Sequence, residues 1–180
     1  QLDLTQKATF DIAVFLNISP DHLDRHGNMD GYINAKRQIL RNRVNTAEPQ
    51  IAIIGVDDKN GRSLYKELSQ RAGWKAIAIT MSGALDYGFY ASNGMLYEAN
   101  AGNTKAICDL SHANSLPGSH NWQNAAAAAA VGHALKIGSE NIASAITSYP
   151  GLPHRMENLG STHGVTFIND SKATNGAAAA

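Results

Sequence analysis

Eleven consecutive residues, Asn17-Ile18-Ser19-Pro20-Asp21-His22-Leu23-Asp24-Arg25-His26-Gly27, carry two imidazoles and two carboxylates, with His22 and His26 four apart. Such side chains at this density suit a divalent cation. A capped helix start gives the same pattern, because the helix dipole favours acidic groups in its first turn. Spacing alone leaves both open. Lys36, further along the same segment, is a poor metal ligand as an ammonium. It would join a metal site only by losing its proton or by becoming a carbamate, which is in effect a long-armed carboxylate. Taken by itself it reads as an exposed helical lysine.

Two further clusters carry polar chemistry. In His120-Asn121-Trp122-Gln123-Asn124, Asn121 and Asn124 fall on adjacent helical turns and face the same way. Amides both donate and accept, which suits a nucleobase edge; helix capping and a buried polar network are the alternatives. The third cluster is Gly151-Leu152-Pro153-His154-Arg155-Met156-Glu157 together with Asn169-Asp170-Ser171-Lys172-Ala173-Thr174-Asn175. Arg155 and Lys172 are cations that could meet phosphate, the arginine as a fork. Asp170 could accept from ribose hydroxyls. A surface salt bridge across a strand is the plainer alternative, but small polar residues straight after an apolar strand favour a site.

The elements that must hold these residues follow from the apolar pattern. Ile12-Ala13-Val14-Phe15-Leu16 reads as a buried parallel strand, with Ser19 and Pro20 as N-cap and first-turn residues of the next helix. A helix is expected over residues 29–43, a strand over 51–56 closed by a turn at Asp57-Asp58, a helix over 59–71 and a strand over 75–80. This alternation predicts βαβ units and a parallel sheet. Residues 87–110 change to short runs with Asn-Gly turns, and Asn93-Gly94 predicts a hairpin. The six alanines after Asn124 predict a closely packed helix, with Ser119 as its cap. Another helix over 139–148 ends at Tyr149-Pro150-Gly151, a hinge follows, and residues 165–168 form a strand. The expected fold class is therefore α/β, a mostly parallel sheet flanked by helices with a small antiparallel excursion.

Composition narrows the function classes. Fifteen basic and fifteen acidic residues in 180 give no net charge, which argues against nucleic-acid and acidic-membrane partners. Lys36, Arg37, Arg41 and Arg43 read as a solvated helix face. The single Cys108 excludes an intrachain disulfide framework and fits a reducing compartment. No apolar run approaches the ~20 residues of a membrane span, and the start has no signal-peptide character. A cytoplasmic monomer acting on small molecules is expected. The missing initiator Met and the terminal Gly176 with four alanines suggest a piece of something longer.

In this order, the three motifs resemble the Mur ligase family, the ATP-dependent amide ligases of bacterial cell-wall precursor synthesis. N-I-S-x-D-H-L-D-x-H-G with the following Y-x-x-A-K is shared by several members, and the two later motifs resemble the branch that adds D-glutamate. The resemblance implies that ATP phosphorylates the carboxylate of UDP-N-acetylmuramoyl-L-alanine, and that the amine of D-glutamate then attacks the acyl phosphate. It implies magnesium held by His22, with Lys36 carbamylated and joining it. Asn121 and Asn124 would face adenine with His120 close by, while Arg155, Asp170, Lys172 and Thr174 close over ribose and phosphates. Residues 1–151 would be a central ATPase-like domain, and 152–180 the hinge and first strand of a C-terminal Rossmann-like domain. The family's phosphate loop, G-x-x-G-K-[ST], is nowhere in this chain, so the segment alone is expected to be inactive. A non-catalytic nucleotide-binding module, and a metal hydrolase on His22 and His26, are the competing readings.

Overall fold

The computed structural model describes residues 2–5, 7–20, 23–44 and 46–173. Strand β1 (Ile12–Phe15) pairs in parallel with β2 (Gln50–Gly55), β2 with β3 (Trp74–Thr80), and β3 with β4 (Tyr87–Ser92). Strands β5 (Met95–Asn100) and β6 (Asn103–Asp109) extend the sheet antiparallel, in spatial order β1-β2-β3-β4-β5-β6. The fold is thus the expected α/β class. The tight turns at Asn93-Gly94 and Ala101-Gly102 both have positive φ at both residues, the primed geometry that matches strand twist.

Helices cover both faces. On one side lie the short α1 (Leu23–His26), α2 (Met29–Lys36) and α3 (Lys59–Gln70); α4 (His120–Ala134) and α5 (Ser139–Thr147) lie on the other. Consecutive β2 residues serve opposite layers, Ile53 joining the α4 side while Ala52 and Ile54 join the α3 side. Each is fully buried, and a buried Ile or Leu side chain contributes about 1.5–3 kcal/mol. The alanine run is explained by its burial: Ala125, Ala126, Ala129 and Ala130 let α4 lie directly on the sheet. Gly132 plays the same part between helices, since a Cβ there would fall 2.8 Å from Ile142 of α5.

Several expectations need correction. The helix expected over 29–43 ends at Lys36 and tightens into a 3-10 turn over Arg37–Leu40. Its cap is Asn28, whose side chain accepts from the Gly31 N–H at 2.9 Å. Helix α1 is described over Leu23–His26, and the residues that join it to Ser19-Pro20 lie outside the described residues. Ser119 makes no side-chain capping bond to α4. The basic cluster is not a solvated face: Arg37 pairs with Glu67 at 2.5 Å, Arg43 pairs with Asp11, and Arg41 bonds Gln38. A strand that the sequence hid, β7 (Glu157–Thr162), pairs antiparallel with β8 (Val165–Asn169) through His163-Gly164, making a separate two-stranded sheet. Among the described residues no helix is long and apolar enough to cross a membrane.

Candidate functional site

A cleft of about 1080 Å³ opens between α4, α5 and the segment that follows the hinge. Its rim holds His120, Asn121, Asn124, Arg155, Asp170 and Lys172, so two motifs some thirty residues apart in sequence share one cavity. The floor is Ala125, Ala128 and Gly132 of α4 with Ile142 and Ile146 of α5. Made of small and aliphatic side chains, such a floor suits an apolar ring face.

The α4 wall is ordered by its own amides. Asn121 Nδ2 donates to the Pro117 carbonyl at 2.6 Å and lies 3.1 Å from His120 Nε2. Asn124 Nδ2 donates to Asn121 Oδ1 at 3.1 Å. One N–H of Asn124 and its Oδ1 carry no partner among the described residues, which leaves a donor and an acceptor side by side at the cleft. Adenine offers the complementary pair on its edge.

The opposite wall is a knot of polar contacts around left-handed backbone. His154 and Met156, on either side of Arg155, have φ of 65° and 47°. Met156 N–H donates to Asp170 Oδ1 at 3.1 Å, and Lys172 N–H to the His154 carbonyl at 2.9 Å. Glu157 Oε2 accepts from His154 N–H at 2.8 Å and from Asn169 Nδ2 at 3.0 Å. These bonds bring Asp170 and Lys172 beside Arg155. Both cations are exposed, which leaves them free to meet an anion. One oxygen of Asp170 is already engaged by backbone.

Sequence reasoning missed a second polar cluster, at the C-terminal ends of the parallel strands. Asp57, just past β2, accepts from Gln123 Nε2 at 2.7 Å, from Thr80 Oγ1 and from Met81 N–H at 3.2 Å. Gln123 is buried and its Oε1 accepts from Asn17 Nδ2 at 3.3 Å. Gly55 makes room, since a Cβ there would stand 1.8 Å from the Leu16 carbonyl and 2.9 Å from Gln123. Burial pushes the Asp57 carboxyl up, but hydrogen bonds from Thr80, Ser82, Met81 and Gln123 outweigh it and hold the group below its ordinary value. Asp58 does a different job: Oδ1 caps α3 through Gly61 N–H at 2.8 Å, and Oδ2 accepts from Ile18 N–H at 3.3 Å. The available signal was position, for ligands and polar groups gather at the carboxyl ends of strands in open α/β sheets.

Lys36 is not among the residues that line the cleft. Lys36 Nζ sits 5.0 Å from the centroid of the Tyr32 ring, and the His26 ring lies tilted against the same ring at 5.5 Å between centroids. That is a cation–π contact of an ammonium. His22 and Thr174 fall outside the described residues. Among the described residues no group of three or more His, Cys, Asp or Glu side chains is placed to hold a metal ion. Cys108 is no candidate nucleophile, because burial and then the charge of Asp109 push its thiol up.

The sequence matches the Mur ligase middle domain over residues 1–132. The UDP-N-acetylmuramoylalanine--D-glutamate ligase of Phenylobacterium zucineum is 46% identical over 99% of this chain and 38% of its own length. The enzyme of that name from Rhodospirillum rubrum is 45% identical over 99% of this chain and 37% of its own. The chain thus spans a little over a third of the length of these curated relatives. Among solved structures, MurF from Acinetobacter baumannii has a TM-score of 0.65 at 22% identity, over 89% of this chain and 33% of that one. MurF from Thermotoga maritima, solved in complex with ADP, has a TM-score of 0.61 at 20% identity, over 91% and 36%. Both show a shared fold.

Proposed function

The chain belongs to the Mur ligase family, and from that premise we propose that it is the nucleotide-side part of a ligase joining D-glutamate to UDP-N-acetylmuramoyl-L-alanine. The observation that carries this reading is the single cleft in which two base-reading amides of α4 face two cations beyond the hinge. Adenine lies on the apolar floor and pairs with Asn124, whose rotamer Asn121 fixes, with His120 at the rim. Arg155 and Lys172 meet the phosphates, and the free oxygen of Asp170 accepts from ribose; Thr174 follows them in sequence. Phosphoryl transfer to a carboxylate asks the protein chiefly for positioning and charge neutralisation, which two cations facing the phosphates supply. The acyl phosphate then reacts with the amine of D-glutamate. The ligase works as a cytoplasmic monomer in peptidoglycan precursor synthesis, and so in cell growth and division.

Magnesium accompanies the nucleotide in this reading, with His22 and Lys36 as its residues on this chain, and when bound it offsets phosphate charge. The described side chains do not form a metal site by themselves. Carbamylation of Lys36 would replace its ammonium over Tyr32 with an anion.

The test uses a protein of the relatives' full length that carries this chain. Phosphate should be released only when ATP, UDP-N-acetylmuramoyl-L-alanine and D-glutamate are all present. Equal release with another amino acid would remove the substrate assignment. Lys36→Ala should abolish turnover and regain part of it with added short carboxylates; unchanged turnover would remove the carbamate.

A further inference from the structure

Through its middle, the contact between α4 and the sheet is made of alanine methyls, which are smooth and interchangeable: Ala125, Ala126, Ala129 and Ala130 are buried there. Larger side chains act nearer its ends: Trp122 and Val131 pack against the same core, and His133 meets Phe89 edge-on and lies 3.1 Å from Glu98. Gln123 is the buried polar side chain of the helix. It leaves the first turns of α4 on the sheet side, buried, while Asn121 and Asn124 leave the same turns on the cleft side. Its amide is held at both ends, by Asp57 at 2.7 Å and by Asn17 at 3.3 Å. Asp57 is held in turn by Thr80 and Met81. The ends of β1, β2 and β3 therefore converge on one side chain of the helix. A fully satisfied buried polar network selects a single arrangement, because any rotation strands a donor or an acceptor.

Resting on the nucleotide reading of the cleft, we propose that Asp57 is a positioning residue for that cleft, setting through Gln123 the rotation of α4 at which Asn124, held by Asn121, meets the base. The two neighbouring aspartates thereby divide their work, with Asp58 capping α3 and Asp57 registering α4. The tether also ends on Asn17, the residue that opens the histidine-rich segment after β1. The placement of the nucleotide helix and of that segment is thus set at one point.

A charge exchange tests this in a protein of the relatives' full length, with binding of ATP and magnesium read by calorimetry. Gln123→Glu places two carboxylates against each other and should weaken binding roughly tenfold, the size of one unmatched buried polar pair. The double change Asp57→Asn with Gln123→Glu restores the 57–123 hydrogen bond in reversed sense and leaves Asn17, Thr80 and Met81 donating to side-chain oxygens, and should bring the affinity back close to that of the unaltered protein. Gln123→Met, nearly the same shape but without the amide, keeps the fold available if the carboxylate pair does not, and it too should bind more weakly at an unchanged far-ultraviolet spectrum. Unaltered affinity in Gln123→Met, or a double variant no better than Gln123→Glu, would overturn the proposal. Asn124→Ala separates the two levels. If it weakens binding while the Gln123 changes do not, the cleft reading stands and the positioning role falls; if the unaltered protein binds no ATP, both fall.

Discussion

Asn121 and Asn124 stand on a helix whose underside is sealed against a six-stranded sheet, whereas Arg155 and Lys172 face them from backbone that is exposed nearly throughout. The helix owes its place to packed methyls, to the Gln123 tether at one end and to the contacts of His133 with Phe89 and Glu98 at the other. The opposite wall owes its place to short-range hydrogen bonds among Glu157, Asn169, Asp170 and their neighbours, beside a hairpin whose Leu159 and Phe167 are 62% and 50% exposed. A two-stranded hairpin with so little apolar cover is marginal in water. The contrast teaches a division of labour. The amides sit on a sealed helix, and the charge-bearing groups sit where a change of backbone is cheap.

The comparison breaks first if the sheet does not carry the stability. Ile53→Ala, at a fully buried position, should lower the free energy of unfolding by about 2–5 kcal/mol in a denaturant titration. A loss below 1 kcal/mol would mean that the α4 face is not the sealed side.

Acid sharpens the comparison next, at the tether. Asp57 has a folded pKa below its ordinary 3.8, so it binds fewer protons folded than unfolded near that value. Its contribution is complete above the ordinary value and is lost as pH falls through the lowered one. Asp57→Asn should therefore cost about 1–2 kcal/mol at neutral pH, and the gap to the unaltered protein should close on acidification below about 3.8. A gap that persists undiminished well below that value would show that the carboxylate charge is not what the network uses.

Most of the sheet could be read from sequence because apolar runs and turn residues report on local geometry. Asn93-Gly94 demanded a primed turn, and the alanines demanded a close neighbour. The rim of the cleft was legible as two motifs, but not as one place, since nothing local says that Asn124 and Arg155 meet. Asp57 escaped for the same reason in sharper form: its bond to Gln123 joins residues 66 apart, and by itself Asp57-Asp58 looks like a turn. Strand β7 escaped because Glu157-Asn158-Leu159-Gly160-Ser161-Thr162 has one large apolar residue and no alternation to betray it.

The smallest effect belongs to the exposed wall. Leu159→Ala should change stability by no more than about 0.5 kcal/mol, as at surface positions generally, while amide exchange in β7 and β8 should be far faster than in β2. Exchange equally slow in both would erase the contrast.

The alanine stripe of α4 carries a consequence for how this segment tolerates change. Residues that do not line the cleft set how deep it is, because their methyls fix the standoff between two planes. One added methylene at Ala126 or Ala129, both without exposure, has nowhere to go but into that standoff, at about 1–3 kcal/mol. Drift along this helix is therefore filtered by volume, not by polarity: exchanges among the smallest side chains pass, and a chemically inert enlargement acts as a mutation of the binding cleft.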